Sequence, residues 1–203
     1  MALSSRKPKI QRVEIEALKF CPGIAVWTMW GACGADHFAT GTTDDGVTPN
    51  CAFAPEDVNT WALMALGEVQ RYGAGIDWVQ NNSTVSEPCF EGRTATGIDF
   101  NDDRDGIWWE GTAHMVIAQQ IKGDDHAADA LLTTLRQAQR LAPNTNGKGL
   151  VAACHDGVTT GIAGFALLNR LHVGATAWYA IAEQWYNPFW GTRTDDAIPH
   201  AGE

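Results

Sequence analysis

Three short segments constrain this chain more than anything else in it: Asn59-Thr60-Trp61-Ala62, Glu110-Gly111-Thr112-Ala113-His114 and Gly174-Ala175-Thr176-Ala177-Trp178. Their threonines stand 52 and 64 residues apart, and each opens an apolar stretch with helical spacing. Val58, Trp61, Ala62, Ala65, Leu66 and Val69 form one stripe, and Gly174, Ala177, Trp178, Ile181, Ala182 and Trp185 form another. The middle stretch, Trp108 to Ile121, is apolar on most faces, as an interior helix would be. Each interval has room for an inner helix, a turn, an outer helix and a return loop, so the repeating unit reads as a helical hairpin. The expected fold is all-α: an α/α toroid-like array of hairpins, partial or open.

Local signals set the boundaries. Pro55 is tolerated in a first helical turn, and Glu56 and Asp57 complement the positive end of that helix. Gly123-Asp124-Asp125 breaks the middle helix and caps an outer one with Leu131, Leu135, Ala138 and Leu141 on one face, which Pro143 ends. Ile10 to Phe20 and Ile24 to Ala35 read as two further helices, with residues 1–9 as a flexible leader and residues 10–203 as one domain. Asn81 to Asp105 reads as a loop. The five cysteines, Cys21, Cys33, Cys51, Cys89 and Cys154, are odd in number and lack CxxC spacing, which suggests buried free thiols and a reducing compartment.

Pro55 to Ala62, Trp108 to Ala113, and Gly174 to Trp178 followed by Asn187-Pro188-Phe189-Trp190 resemble repeats of the six-hairpin glycosidase-like superfamily. The resemblance covers about Ala54 to Trp190, three hairpins or four with Ile10 to Ala35, where members generally close six. It implies a sugar-facing mouth at the entrances of the inner helices, carboxylates for acid and base work, and aromatic platforms. It also implies an open barrel, a homodimer or other chain that completes it, or a fragment of a longer enzyme.

The densest chemistry lies in Asp99 to Met115, DFNDDRDGIWWEGTAHM. Glu110 is the leading carboxylate, because its counterparts in the repeat, Val58 and Gly174, carry no charge. Glycoside hydrolysis needs a second carboxylate, for which Asp57, then Asp105 or Asp103, are the candidates. Trp108, Trp109, Trp61 and Trp178 are candidate stacking platforms, and His114 and His172 candidate sugar-binding groups. Asn101, Asp103 and Asp105 before Gly106 match the opening of a calcium loop, although Thr112 stands where the twelfth-position glutamate would be. The run Asp102-Asp103-Arg104-Asp105 resembles the aspartate clusters of isoprenoid cyclases, but it is neither DDxxD nor DxDD.

A net charge of −10 argues against nucleic acid or an anionic membrane as partner. The resemblance implies a carbohydrate-active protein, glycoside hydrolase-like. A non-catalytic carbohydrate-binding or assembly half-toroid and an isoprenoid cyclase-like enzyme are the alternatives.

Overall fold

The structure is a computed structural model that describes Val26, residues 28–34 and residues 36–196. The expected leader and the helix at Ile10 to Phe20 lie outside the described residues. Of the stretch Ile24 to Ala35, Val26, Thr28 and Met29 are helical, and Trp30 already bridges to Phe38.

Five helices carry the fold among the described residues. They are α1 (Asp57–Leu66), α2 (Val69–Ser83), α3 (Trp109–Lys122), α4 (Asp125–Leu141) and α5 (Val173–Glu183). The expectation of an all-α chain is overturned. Three antiparallel two-stranded sheets accompany the helices, and the described chain is 41% helical and 17% strand. These sheets are β1 (Thr84–Phe90) with β2 (Arg93–Ile98), β3 (Val158–Thr159) with β4 (Ala166–Leu167), and β5 (Tyr186–Asn187) with β6 (Thr192–Arg193). The first pair occupies the middle of the expected loop Asn81 to Asp105. It runs in register from Thr84 opposite Ile98 to Phe90 opposite Arg93, with an irregularity between Pro88 and Phe90. Polar and proline residues hide the strand in the sequence. The pair's buried apolar residues are Cys89, Phe90, Ala95 and Ile98, with Val85 packed beside them.

Helix α3 is the axis of the molecule. Every residue from Trp109 to Gln120 is buried except Glu110. Its Ala113, Val116 and Ile117 enter a core with α4, α5 and β1–β2. Met115 and Ala118 enter a second core with Phe38, Leu63, Tyr72, Ile76 and Val79. A helix shared by two cores has no face left for water, which is why its sequence is apolar all round. Helix α4 is amphipathic as expected. Ala128, Leu132, Leu135 and Ala138 form its buried stripe, while Leu141 is exposed.

The free-thiol reading is also corrected. Cys33 pairs with Cys51, and Cys89 with Cys154, as disulfides. The inference of a reducing compartment loses its basis, since such bridges persist in oxidising surroundings.

Candidate functional site

The three repeated threonines have a structural task. The Thr112 hydroxyl donates to the Trp108 carbonyl (2.8 Å) and accepts from the Ile98 N–H (3.0 Å), while the Trp108 N–H donates back to the Ile98 carbonyl (2.8 Å). At α5 the same circuit recurs. The Thr176 hydroxyl donates to the His172 carbonyl (2.8 Å) and accepts from the Leu150 N–H (2.9 Å), and the His172 N–H donates to the Leu150 carbonyl (2.8 Å). The residue before each extended partner is glycine. A Cβ at Gly97 would stand 2.8 Å from the Thr112 hydroxyl, and one at Gly149 3.1 Å from that of Thr176. Thus a Gly-Ile or Gly-Leu strand end is docked onto a helix start by one threonine. Helix α1 keeps part of the pattern, with the Glu56 N–H donating to the Phe100 carbonyl (2.8 Å) and the Thr60 hydroxyl facing the Glu56 and Asp57 carbonyls (3.5 Å each).

The residues four before these threonines, Glu56, Trp108 and His172, are the N-caps of α1, α3 and α5. Their side chains meet around Glu110. The Glu110 carboxyl is 16% exposed, with Oε2 3.3 Å from Nδ1 of His172 and Oε1 3.9 Å from Nε2 of His114. His114 is fully buried, and its Nδ1 lies 3.3 Å from Oε2 of the equally buried Glu56. Trp61, Trp108 and Trp178 enclose the His114 ring edge-on, with centroids at 5.4, 5.4 and 4.4 Å. Trp61 stacks on Trp178 at 6.0 Å and faces Phe189 at 6.4 Å. With Trp61 38% and Phe189 47% exposed, this is an aromatic surface open to solvent beside the carboxyl.

Room for Glu110 is made by Gly174. A Cβ there would fall 2.4 Å from Oε2 and 2.8 Å from both Cδ and Oε1. Phe189 is held in place by its neighbour Asn187, a buried side chain whose amide donates to the Met64 carbonyl at the end of α1 (2.9 Å).

Burial dominates the electrostatics. It pushes Glu56 well above the usual carboxylate range, aided by the charges of Asp57 and Glu110, against a lowering hydrogen bond from Thr60. It also raises Asp57, which the charge of His114 opposes. Burial holds His114 down at about 4, against the raising charges of Glu110 and Asp57. Several polar atoms here are sealed from solvent without a hydrogen-bond partner: Glu56 Oε1, His114 Nε2 and the indole nitrogens of Trp108 and Trp109.

Of the residues singled out in the sequence, Glu110, His114, His172, Trp61, Trp108 and Trp178 come together, and Asp57 begins α1 beside them. Trp109 does not join the platform. It is fully buried and stacks on Phe90 at 6.1 Å in the core. Asp105 belongs to a different cluster, where both its oxygens accept from the Thr159 N–H (3.1 and 3.0 Å). In that loop the Thr159 hydroxyl donates to Asp103 (2.6 Å), and the Asp99 carboxyl accepts from the N–H groups of Phe100 (2.6 Å) and Asp105 (2.8 Å). Asp99, Asp103 and Asp105 present oxygens within 4.8 Å of one another. In the same loop the Asn101 side-chain oxygen accepts from the Asp103 N–H (2.8 Å). Burial and the neighbouring acids push Asp99 up to about 8, against the hydrogen bond from Phe100.

Sequence reasoning missed two members of the site. Glu56 looked like an ordinary helix-start charge, yet it stands four before its threonine, as Trp108 and His172 do. Phe189 sits in the Asn187-to-Trp190 motif without having been read as a platform. No family model, curated protein or solved structure matches the chain.

Proposed function

We propose that the protein binds carbohydrate at the aromatic mouth where α1, α3 and α5 begin, and cleaves it by carboxylate acid–base chemistry centred on Glu110. The contact between Glu110 and His172 is the observation that carries this reading. Nδ1 of His172 already accepts the Ala175 N–H (3.2 Å) while lying 3.3 Å from Glu110 Oε2. A ring nitrogen that accepts one N–H has no proton of its own to offer. Glu110 lies beside this nitrogen with its carboxyl open to solvent, placed to protonate a departing glycosidic oxygen. Trp61, Trp178 and Phe189 supply apolar faces of the kind that pack against pyranose rings. Asp57 is the partner carboxylate for the opposite face of the sugar.

The test is a panel of neutral and amino-substituted oligosaccharides assayed for reducing-end release, with Glu110→Gln alongside. Release should fall by roughly 10²- to 10⁴-fold in the variant, the usual contribution of a general acid, with binding retained. Release that persists in Glu110→Gln would remove Glu110 from the chemistry. Of Glu56 and Glu110, the one with solvent access is Glu110, a feature that favours a sugar-binding module as the second reading. Binding without turnover in the unmodified protein would select it.

A further inference from the structure

Among the described residues, Glu56 is a carboxyl with no route to water and no cation in contact. Its side chain is completely buried; His114 lies against Oε2, the Thr60 hydroxyl is its hydrogen-bond donor, and Oε1 has no partner. An ionised carboxylate left so would be an uncompensated buried charge, at a cost far beyond that of a neutral acid. The ring it touches is equally enclosed. The titratable groups facing His114 are Glu56 and Asp57 from α1 and Glu110 from its own helix, with His172 of α5 on the far side of Glu110. Tryptophan rings make up other walls of its enclosure.

We infer that Glu56 is a positioning residue: it stays a neutral acid, donates its O–H to Nδ1 of His114, and so fixes His114 as the neutral ring whose Nε2–H faces Glu110. Burial drives both partners in that direction, the carboxyl toward its protonated form and the imidazole toward its neutral one. The inference explains why Nε2 is sealed without a partner 3.9 Å from Glu110 Oε1. The donor is aimed at the oxygen that gains charge when Glu110 gives up its proton. In the step itself the Glu110 O–H bond breaks and the proton passes to the glycosidic oxygen as its bond to the anomeric carbon breaks, while a water that gives its proton to Asp57 bonds to that carbon. His114 keeps its own proton and only closes its hydrogen bond onto the new carboxylate, as a preset dipole does where charge develops. The catalytic consequence rests on the carbohydrate reading, whereas the tautomer does not.

The test is ¹⁵N–¹H NMR of the imidazole side chains at pH 7 on the full chain, without substrate, with His114→Gln assigning the signals. The expected spectrum has a protonated Nε2 and a hydrogen-bonded, unprotonated Nδ1 for His114. Glu56→Gln, whose amide N–H replaces the acid O–H, should preserve that tautomer, since one neutral donor replaces another. Glu56→Met should shift Nδ1 to the position of a free ring nitrogen. It should also lower kcat roughly tenfold with KM unchanged, the worth of one hydrogen bond made in the transition state. An Nδ1-protonated or imidazolium His114 in the unmodified protein, or a tautomer reversed by Glu56→Gln, would overturn the inference. Should Glu56→Met fail to fold, the first two spectra still decide it. A protein without activity on any sugar would remove the carbohydrate reading and leave this one intact.

Discussion

Two acidic neighbourhoods lie within one stretch of chain, and they are built in opposite ways. In the loop from Asp99 to Asp105 the carboxylates are tied down. Asp99 takes two backbone N–H groups, Asp103 the Thr159 hydroxyl, Asp105 the Thr159 N–H, and Asp102 the Ala54 N–H. Five residues on, at Glu110, the pattern reverses. Glu56 Oε1, His114 Nε2 and the Trp108 indole nitrogen are buried and unpaired, and Glu110 meets the solvent beside bare aromatic faces. Buried polar groups are nearly always satisfied, and each exception costs stability. The first neighbourhood therefore reads as a loop staple, and the second as a place where stability is given up to keep groups ready for a ligand.

The largest expected effect separates two opposed titrations inside the mouth. His114, with its value depressed to about 4, loses stability for the native state as pH falls from 6.5 toward 4, because the unfolded chain takes up the proton first. Glu56, raised by burial, acts in the other sense: its contribution is present at low pH and is lost as pH rises above the ordinary carboxylate range. The two oppose each other in the unmodified protein. Glu56→Gln removes one, so the variant's own stability should fall by about 3 kcal/mol between pH 6.5 and 4, from the shift in His114 alone, and more steeply than that of the unmodified protein. Urea unfolding at stepped pH measures this, and identical pH slopes would mean that the two groups are not held as described.

Gly174→Ala is the next test. The new methyl would occupy the space of the Glu110 carboxyl and drive it off His172. Turnover is expected to drop by roughly 10- to 100-fold, since an ångström of misplacement carries that scale of cost, with the melting temperature changed little. A variant as active as the parent would show that the Glu110–His172 contact is incidental.

The smallest effect belongs to the staple. Thr159→Val removes the hydroxyl bond to Asp103, although the backbone bond to Asp105 remains. A loss of about 1 kcal/mol is expected, read by thermal denaturation, with activity unchanged. Loss of activity in this variant would make the acidic loop part of the working site and erase the contrast between the two neighbourhoods.

Much of the mouth was legible because it rests on local rules. The repeat Thr60, Thr112 and Thr176 marks helix starts, and two of these threonines perform the same four-group hydrogen-bond circuit. Glu110 stood out because the equivalent positions are valine and glycine, and Gly174 proves to be the space into which it reaches. The rest depended on facts that spacing does not carry. Val85 to Phe90 is interrupted by Glu87 and Pro88, so its strand character comes from pairing with Arg93–Ile98 and not from its own pattern. The cysteines were judged by parity, which cannot reveal that Cys89 finds Cys154 across the fold. Glu56 carries an ordinary helix-start residue type, and only three-dimensional closure by Trp108 and His114 turns it into a sealed acid.

That second disulfide has a topological consequence. Joining residues 65 apart, Cys89–Cys154 makes the chain between them a closed ring that contains α3, α4, Glu110 and His114. Glu56 and Trp61 lie on the arm that enters the ring, while His172, Trp178 and Phe189 lie on the arm that leaves it. The mouth is thus a clasp of two tails upon one loop. A protease that nicks the exposed turns of that loop, at Asp102 to Asp105 or at Gly123 to Asp125, leaves both tails covalently joined to a common knot, and only a reductant lets the pieces part.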